Sequence, residues 1–186
     1  MKKRTKILIA VIIILSIVSL LILFAFPIVD ANSPYSFATK WGSRGTGDGQ
    51  FSAPQGVAVD SSNNVYVVDV NNDRVQKFNS NGNFITKWGS AGTGHGQFDV
   101  PEDVAVDLSN NVYVVDTSKI QKFNSNGNFI TIWGSRGTGD GQFDHARGID
   151  VDTSNNVYVA DSQNDRIQKF VPPHHTIFDI LMSRIR

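Results

Sequence analysis

Three copies of one sequence unit follow each other along this chain of 186 residues, and any fold must accommodate them. The unit begins with Trp41-Gly42-Ser43 and returns at Trp88 and Trp133, so the spacings are 47 and 45 residues. A phenylalanine, an Asn-Val-Tyr-Val run and a Gln-Lys-Phe run keep nearly the same offsets in each copy. Self-similarity at such a period is typical of propellers and solenoids, in which one supersecondary unit stacks on the next.

Each copy divides into four short β-prone runs with turn signals between them. In the first copy the runs are Gly56–Asp60, Val65–Asp69, Arg74–Phe78 and Phe84–Trp88. They are rich in valine and aromatic residues, which favour strands, and an Asn-Gly pair before the last run is a strong hairpin signal. Four antiparallel strands in about 46 residues match one propeller blade. The sequence therefore predicts an all-β fold of four-stranded blades.

The order of these runs resembles a known family. Gly-Val-Ala-Val-Asp, Asn-Val-Tyr-Val-Val-Asp, Asn-Asp-Arg-Val-Gln-Lys-Phe and Gly-Asn-Phe-Ile-Thr-Lys-Trp-Gly follow one another between residues 56 and 89, and together they resemble the NHL repeat. The resemblance extends over residues 37–170, and the second copy departs from it by lacking the Asn-Asp-Arg turn. It implies a β-propeller, usually with six blades, that serves mostly as a recognition platform, while a few relatives are enzymes.

The ends of the repeat region are offset from the blade boundaries. After Phe170 in the third copy, Pro172-Pro173 blocks a fourth strand, because proline donates no hydrogen bond to a ladder. At the other end, Phe37–Trp41 matches the fourth strand Phe84–Trp88 but has no first three strands before it. The domain predicted over residues 35–170 therefore holds three blade equivalents, which form an open arc or half of a six-bladed ring.

An open arc exposes two blade flanks and unpaired strand edges, and this predicts self-association. In this hypothesis a homodimer forms a six-bladed ring, and Phe37–Trp41 of each chain completes the third blade of the other. The alternative is that the chain is a truncated fragment of a longer NHL-repeat protein. The tail, residues 171–186, suits that alternative because it does not match the repeat.

Residues 1–31 are predicted to be a separate targeting segment. Four basic residues precede Ile7–Phe26, a run of 20 uncharged residues that spans about 30 Å as a helix and matches a bilayer core. This predicts one N-terminal transmembrane or signal helix, with the repeats outside the membrane. Two interpretations stay open: a retained membrane anchor with an extracellular domain, or a signal peptide cleaved after Ala31 and a secreted protein.

Composition argues against several classes of function. The chain has no cysteine, which excludes thiolate zinc sites, a cysteine nucleophile and a RING-type ubiquitin ligase module. Residues 35–170 carry 11 Lys and Arg against 15 Asp and Glu, and the resulting net charge of −4 disfavours nucleic acid as a partner. The four histidines do not recur in register, so we predict no metal site, no cofactor and no catalytic residues. They are His95, His145, His174 and His175.

Recurrent polar and aromatic residues have structural interpretations that compete with functional ones. The Gly-rich run Gly45–Gln50 recurs at Gly92 and Gly137, but no helix follows it, so it predicts a connection between blades rather than a phosphate loop. Recurrent aspartates such as Asp60 and Asp69 predict turn caps, with calcium as the alternative. Recurrent tryptophans predict packing between blades, with carbohydrate stacking as the alternative.

The Gly-rich loops and the turns beside them are the predicted contact surface, because loops on a rigid scaffold usually carry binding. The residues predicted to contact a ligand are Arg44, His95, Arg136, Arg74 and Arg166. For the last two, a local ion pair is the competing interpretation. We expect a non-catalytic scaffold that binds a protein or glycan at the cell surface. The alternative is a propeller enzyme, such as a metal-dependent lyase or hydrolase.

Overall fold

The structure is a computed structural model that describes residues 34–173. The targeting helix predicted within residues 1–31 and the end of the tail, residues 174–186, lie outside the described residues. The chain divides into two units, Met1–Thr39 and Lys40–Arg186, and the strands of the described residues belong to the second unit. Between residues 34 and 173 no helix has the length and apolar character needed to cross a membrane.

The described residues are organised as three antiparallel sheets, one for each copy of the repeat, with short parallel pairs in the connections. Two single-turn 3-10 helices, Val70–Asn72 and Ser162–Asn164, lie in the first and third copies. In chain order the strands are β1 (Ser43–Arg44), β2 (Gln50–Phe51), β3 (Pro54–Val59), β4 (Val65–Asp69), β5 (Arg74–Phe78), β6 (Phe84–Trp88), β7 (Pro101–Val106), β8 (Val112–Asp116), β9 (Lys119–Phe123), β10 (Phe129–Trp133), β11 (Ser135–Arg136), β12 (Gln142–Phe143), β13 (Ala146–Val151), β14 (Val157–Asp161) and β15 (Arg166–Phe170).

The three sheets are propeller blades of unequal completeness. The first blade pairs β3, β4, β5 and β6 in that order, and the second pairs β7, β8, β9 and β10. Up to residue 173, where the described residues end, the third blade has three strands, β13, β14 and β15, in agreement with the break that the proline pair after Phe170 predicted. The all-β, four-stranded organisation is thus confirmed for the first two blades. Phe37–Trp41 forms no strand in the single chain, and its pairing with a second copy stays a prediction.

The hydrophobic core lies between neighbouring blades, because successive side chains of a strand point to opposite flanks of its sheet. Tyr66 and Val68 of the first blade pack against Val112 and Val114 of the second. The other flank of the second blade, including Tyr113 and its neighbours, packs in the same way against the third blade. Every blade therefore needs a neighbour on each side to bury both of its flanks.

The inner strands β3, β7 and β13 lie side by side. A Cβ atom on Gly56 would lie 2.6 Å from the Cα atom of Asp103, so only glycine permits this approach of β3 to β7. The backbone N–H of Ile149 in β13 donates to Oδ2 of Asp103 in β7 at 3.1 Å. Inner strands gathered in this way surround the axis of a propeller.

The antiparallel order places the connections at two opposite ends of the blades. One end, which we call the turn face, carries the turns between first and second strands and between third and fourth strands. In the first blade these are residues 60–64 and 79–83. The other end, the loop face, carries the turns between second and third strands and the Gly-rich loops, residues 45–50, 92–97 and 137–142.

Candidate binding surface

A buried aspartate at the end of the second strand organises the loop face of the first blade. Asp69 is fully buried, and its Oδ2 atom accepts hydrogen bonds from Arg74 Nε at 2.8 Å, Asn72 Nδ2 at 2.8 Å and Gln76 Nε2 at 3.3 Å. Its Oδ1 atom accepts from the backbone N–H of Ser52 at 2.6 Å. The carboxylate therefore joins the turn, the third strand and the entry to the inner strand.

Arg74 carries this organisation outward to the Gly-rich loop. Its guanidinium donates to the backbone carbonyls of Thr46 at 2.7 Å and of Gly47 and Gln50, both at 2.8 Å. With the bond to Asp69, four of the five N–H donors of arginine are used. The side chain is buried, with 6% of the residue exposed. We call this arrangement of Arg74 and its aspartate the arginine clamp.

The third blade repeats the arginine clamp. Arg166 donates to Asp161 at 2.8 Å and to the carbonyls of Thr138, Gly139 and Gln142 at 2.7–2.9 Å. For both clamp arginines the structure has the local ion pair that was the competing interpretation at these positions. Their charged groups are occupied in holding the loops, and a ligand would have to displace backbone partners to reach them.

The second blade lacks the clamp, because its turn is two residues shorter. Lys119 stands in place of the arginine, 3.2 Å from Oδ2 of Asp116, and donates to the carbonyl of Thr93 at 3.1 Å. Asp116 still accepts from the backbone N–H groups of Asp99 and Val100 through Oδ1. The Gly-rich loop of this blade therefore receives one bond from the turn region, where the first blade supplies four.

The other three residues predicted to contact a ligand lie at the surface of successive Gly-rich connections. Arg44 is exposed and lines a shallow pocket with Pro54. The ring of His95 stacks on Phe129, with centroids 4.3 Å apart and planes 7° from parallel. Arg136 is largely exposed, and its guanidinium lies 3.7 Å from Asp144. The structure thus leaves these three side chains accessible on the loop face.

Sequence reasoning missed a second group of loop-face residues, which we call the axial segments. They are residues 52–56, 99–103 and 144–148, and they lead from the Gly-rich loops into the inner strands. Their sequences are Ser-Ala-Pro-Gln-Gly, Asp-Val-Pro-Glu-Asp and Asp-His-Ala-Arg-Gly. None of these five positions is the same in all three copies, although Gly-Gln-Phe before them is invariant. That interruption of the repeat is the signal that could have found them.

The axial segments bring unlike side chains together at the loop-face ends of adjacent strands. One position is Gln55, Glu102 and Arg147 in turn, and the first and last of these are exposed. His145 lies within 3.0 Å of Asp144 and has a left-handed backbone with φ of 53°. Ala53 at the equivalent position of the first blade has the same left-handed backbone, with φ of 55°, so this conformation belongs to the connection rather than to the histidine. The surface therefore has a charge and polarity that differ from blade to blade.

Two aspartates near this surface have raised pKa values. Burial raises the pKa of Asp103, and the nearby Asp150 carboxylate adds to the effect, while hydrogen bonds from the backbone of Ile149 and Val104 oppose it. Burial also raises the pKa of Asp73, with repulsion from Asp116 and Asp99. Within residues 34–173 no three His, Asp or Glu side chains are grouped so as to hold a metal ion.

The turn face is built from aspartate caps, as the sequence predicted. Oδ1 of Asp60 accepts from the backbone N–H groups of Ser62 and Asn64, both at 2.9 Å, and Oδ2 accepts from the Tyr66 hydroxyl at 3.0 Å. The same bonds recur around Asp107 and Asp152. Both carboxylate oxygens are used within the turn, which favours capping over calcium binding at these positions.

The recurrent tryptophans pack between blades. Trp88 at the end of the first blade lies 5.7 Å from Phe123 in the second, and Trp133 of the second lies 5.9 Å from Phe170 in the third. Trp41, which precedes the first blade, packs in the same way on Phe78 at 6.0 Å. The positions thus serve the packing that was expected of them.

Comparison with known families finds a match for the repeat. Residues 51–78 and 143–170 match the NHL repeat. Each match runs from the phenylalanine of a Gly-rich connection to the phenylalanine that ends a third strand. Among curated proteins, no sequence matches the chain.

Solved structures support the fold. A streptogramin B lyase has a TM-score of 0.51 and 15% identity, with 65% of this chain and 38% of the lyase covered. A protein of unknown function from Bacteroides thetaiotaomicron has a TM-score of 0.50 and 19% identity, with 59% and 32% covered. This chain therefore spans less than two fifths of the length of either structure. At such identities the likeness shows the shared fold alone.

Proposed function

We propose that this chain is a non-catalytic scaffold that binds a protein or glycan with its loop face. The observation that carries the proposal is the set of axial segments, in which five successive positions differ between otherwise repetitive blades. A structural role needs the same residues in each blade, as the aspartate caps illustrate. Unlike side chains at equivalent positions suit an asymmetric ligand, which meets each blade differently.

The rigid surroundings support this proposal. The arginine clamps and buried aspartates fix the Gly-rich loops of the first and third blades to their sheets. Binding residues held by a rigid frame lose little conformational entropy when a ligand binds, and more of the contact energy appears as affinity. The exposed residues Arg44, His95 and Arg136 extend the proposed surface outward from the axial segments.

The proposed location is the outside of the cell, with Ile7–Phe26 as a membrane anchor. The support is the apolar run and the basic residues before it, which favour this orientation. A secreted form, cleaved after Ala31, is the alternative. Protease added to intact cells should digest the repeats of an anchored protein, and full protection of the repeats would contradict either form of export.

An enzymatic function is the second candidate. It is favoured by the pair of Asp144 and His145, which directly precede the inner strand β13. Their side chains lie 3.0 Å apart, a distance at which a carboxylate can orient an imidazole. A metal-dependent lyase or hydrolase would also need bound metal. Elemental analysis of the purified full chain distinguishes the two candidates, since stoichiometric zinc or calcium would favour the enzyme.

Substitution of the axial segments tests the scaffold proposal. Wild-type protein in detergent is applied to glycan arrays and to peptide arrays that tile exported proteins. The variant Gln55→Ala/Glu102→Ala/Arg147→Ala should weaken any selected binding at least about tenfold, as expected when central contact residues are removed.

A matched control changes the opposite end of the blades. The variant Ser80→Ala/Asn81→Ala/Asn126→Ala alters three exposed turn-face residues and should keep full binding. Equal loss in both variants, or no binding by the wild type to either array, would overturn the proposed role of the loop face.

A further inference from the structure

Each complete blade surrounds the last residue of its third strand with three aromatic rings. In the first blade, Phe78 contacts Trp41, Phe51 and Phe84, with ring centroids 6.0, 5.6 and 6.1 Å away. In the second blade, Phe123 has equivalent neighbours and is also fully buried. These neighbours are Trp88, Phe98 and Phe129, at 5.7, 5.9 and 6.1 Å.

The third blade lacks one of these rings. Phe170 contacts Trp133 at 5.9 Å and Phe143 at 5.8 Å, but β15 is the last strand of its sheet, and the described chain supplies no third ring from a fourth strand. Ile167 on the same strand is 68% exposed, whereas its equivalent Val75 is fully buried against the second blade. Within residues 34–173 the third blade therefore lacks both the ring of a fourth strand at its edge and a neighbouring blade on this apolar flank.

Phe37–Trp41 has the residues that this edge lacks. The segment reads Phe-Ala-Thr-Lys-Trp, and β6 in the first blade reads Phe-Ile-Thr-Lys-Trp. In β6 the phenylalanine pairs with the phenylalanine that ends β5, and the tryptophan pairs with Val75. The same register places Phe37 opposite Phe170 and Trp41 opposite Ile167. Phe37 is 78% exposed in the single chain.

Charges in the complete blades follow a matching rule. In the first blade Asp48 of the Gly-rich loop forms an ion pair with Lys87 of β6, with an Nζ to Oδ1 distance of 2.6 Å. In the second blade both charges are absent, since His95 replaces the aspartate and Ile132 replaces the lysine. The acid and the lysine therefore occur together or not at all.

The third blade has the acid without the lysine. Asp140 occupies the aspartate position of its Gly-rich loop, and within the described residues the blade has no fourth strand to carry a lysine. Lys40 occupies the lysine position of Phe37–Trp41. The segment and the third blade are thus complementary in charge as well as in apolar contacts.

Trp41, the last residue of the segment, does not reach the third blade of its own chain. Trp41 packs on Phe78 of the first blade, and the whole second blade separates that blade from β15. We propose that two copies of the chain complete each other. Phe37–Trp41 of one copy pairs with β15 of the other as a fourth strand, and its Lys40 forms an ion pair with Asp140 of that copy.

The flank of the first blade is suited to the same partner. Val57 and Val59 are 59% and 57% exposed. Val104, the equivalent of Val57 in the second blade, is 3% exposed because the first blade covers it. When Trp41 joins the third blade of a second copy, this flank lies against that blade. Two such interfaces close a ring of six blades with twofold symmetry.

A complementation experiment tests the ion pair. Full-length chains in detergent are examined by light scattering, which should give the mass of a dimer for wild type. Lys40→Glu and Asp140→Lys each place like charges together at both interfaces and should weaken dimerisation about tenfold. A mixture of the two single variants pairs opposite charges at both interfaces, so it should restore dimers as heterodimers.

Two controls accompany the charge variants. The swap Asp48→Lys/Lys87→Glu reverses an ion pair within one copy and should leave the oligomer unchanged. Phe37→Asp changes an exposed residue that the fold of a single copy does not need. This variant should therefore be monomeric by light scattering and folded by circular dichroism. Monomeric wild type, or dimers that none of the interface variants weaken, would overturn the proposal.

Disulfide trapping tests the register, because the chain has no cysteine of its own. One tagged chain carries Thr39→Cys and a second, differently tagged chain carries Lys169→Cys. Residues directly opposite in an antiparallel pair have Cα atoms about 4.5–5.5 Å apart, within the reach of a disulfide. A disulfide that joins the two tags is expected, and its absence from oxidised wild-type-like dimers would contradict this pairing.

Discussion

The aspartates of this repeat have different structural roles, and the hydrogen-bond partners of each aspartate determine its role. Asp60 begins a turn, and the hydrogen bonds that it accepts come from the turn backbone and from Tyr66 in the strand that follows. Asp69 ends a strand, and its partners extend to Ser52. A buried carboxylate needs hydrogen-bond donors for its lone pairs. Asp69 therefore fixes the connection at Ser52, which is remote from it in sequence.

Removal of the clamp arginine should destabilise the first blade strongly. Arg74→Ala leaves the buried Asp69 without its cationic partner and frees three loop carbonyls, so we expect a loss of about 3–5 kcal/mol in the free energy of unfolding. Urea unfolding measures it. Arg44→Ala, an exposed change on the same face, should stay within about 0.5 kcal/mol of wild type. Similar small losses in both variants would contradict the clamp.

Among the strands and loops, the connections differ more than the sheets. The three second strands all begin Val-Tyr-Val and occupy equivalent positions, yet the turn after β8 is two residues shorter than the turns after β4 and β14. That shortening removes the arginine clamp, while Gln121 still donates to the carbonyl of Gln97. The sheet tolerates the change because the missing residues lie outside its ladders.

The unclamped loop should open more often than its equivalents. Amide hydrogens of residues 92–97 should exchange faster than those of residues 45–50 and 137–142, because fewer side-chain bonds hold the loop. Exchange measured by mass spectrometry checks this. Replacement of Thr117-Ser118-Lys119 with the sequence Val-Asn-Asn-Asp-Arg should slow exchange in residues 92–97. Unchanged exchange in this variant would show that the clamp does not control loop opening.

In the molecule as a whole, carboxylates contribute a pH dependence with a predictable sign. Burial alone would raise the pKa of Asp60, but hydrogen bonds from Asn64, Tyr66 and the turn backbone outweigh it and lower the pKa. The same balance lowers the pKa of Asp107 and of Asp161. A lowered pKa in the folded state stabilises the protein above the unfolded value and loses that effect as pH falls.

Acid should therefore destabilise the fold below about pH 4, the region of the ordinary aspartate pKa of 3.8. The raised pKa values of Asp73 and Asp103 have the opposite effect on stability. Their charged carboxylates destabilise the fold, and protonation removes that destabilisation as pH falls toward 3.8. Urea midpoints should consequently change little between pH 6 and pH 4 and then decrease. Asp60→Asn should make the decrease shallower, and a steep loss that begins above pH 5 would contradict the assignment.

Local patterns were sufficient to predict most strands. The runs Val65–Asp69, Arg74–Phe78 and Phe84–Trp88 were predicted with the boundaries that the structure has. The inner strand, predicted over Gly56–Asp60, begins two residues earlier and ends one residue earlier, at Pro54–Val59. The turn caps at Asp60 and its equivalents followed from residue type. The axial segments were missed because no propensity marks them, and their meaning lies in the adjacency of three inner strands.

The repeat, its four-stranded unit and the end of β15 at Phe170, just before the proline pair, are consequences of sequence, because strand propensity and proline act within a few residues. The buried state of Arg74 and the exposed edge at Ile167 depend on tertiary structure. The burial of a side chain depends on the segments that pack against it in space. The residues next to it in sequence do not determine those contacts. The sequence shows that the turn after β8 is two residues shorter than its equivalents. The tertiary structure shows that this shortening removes the arginine clamp.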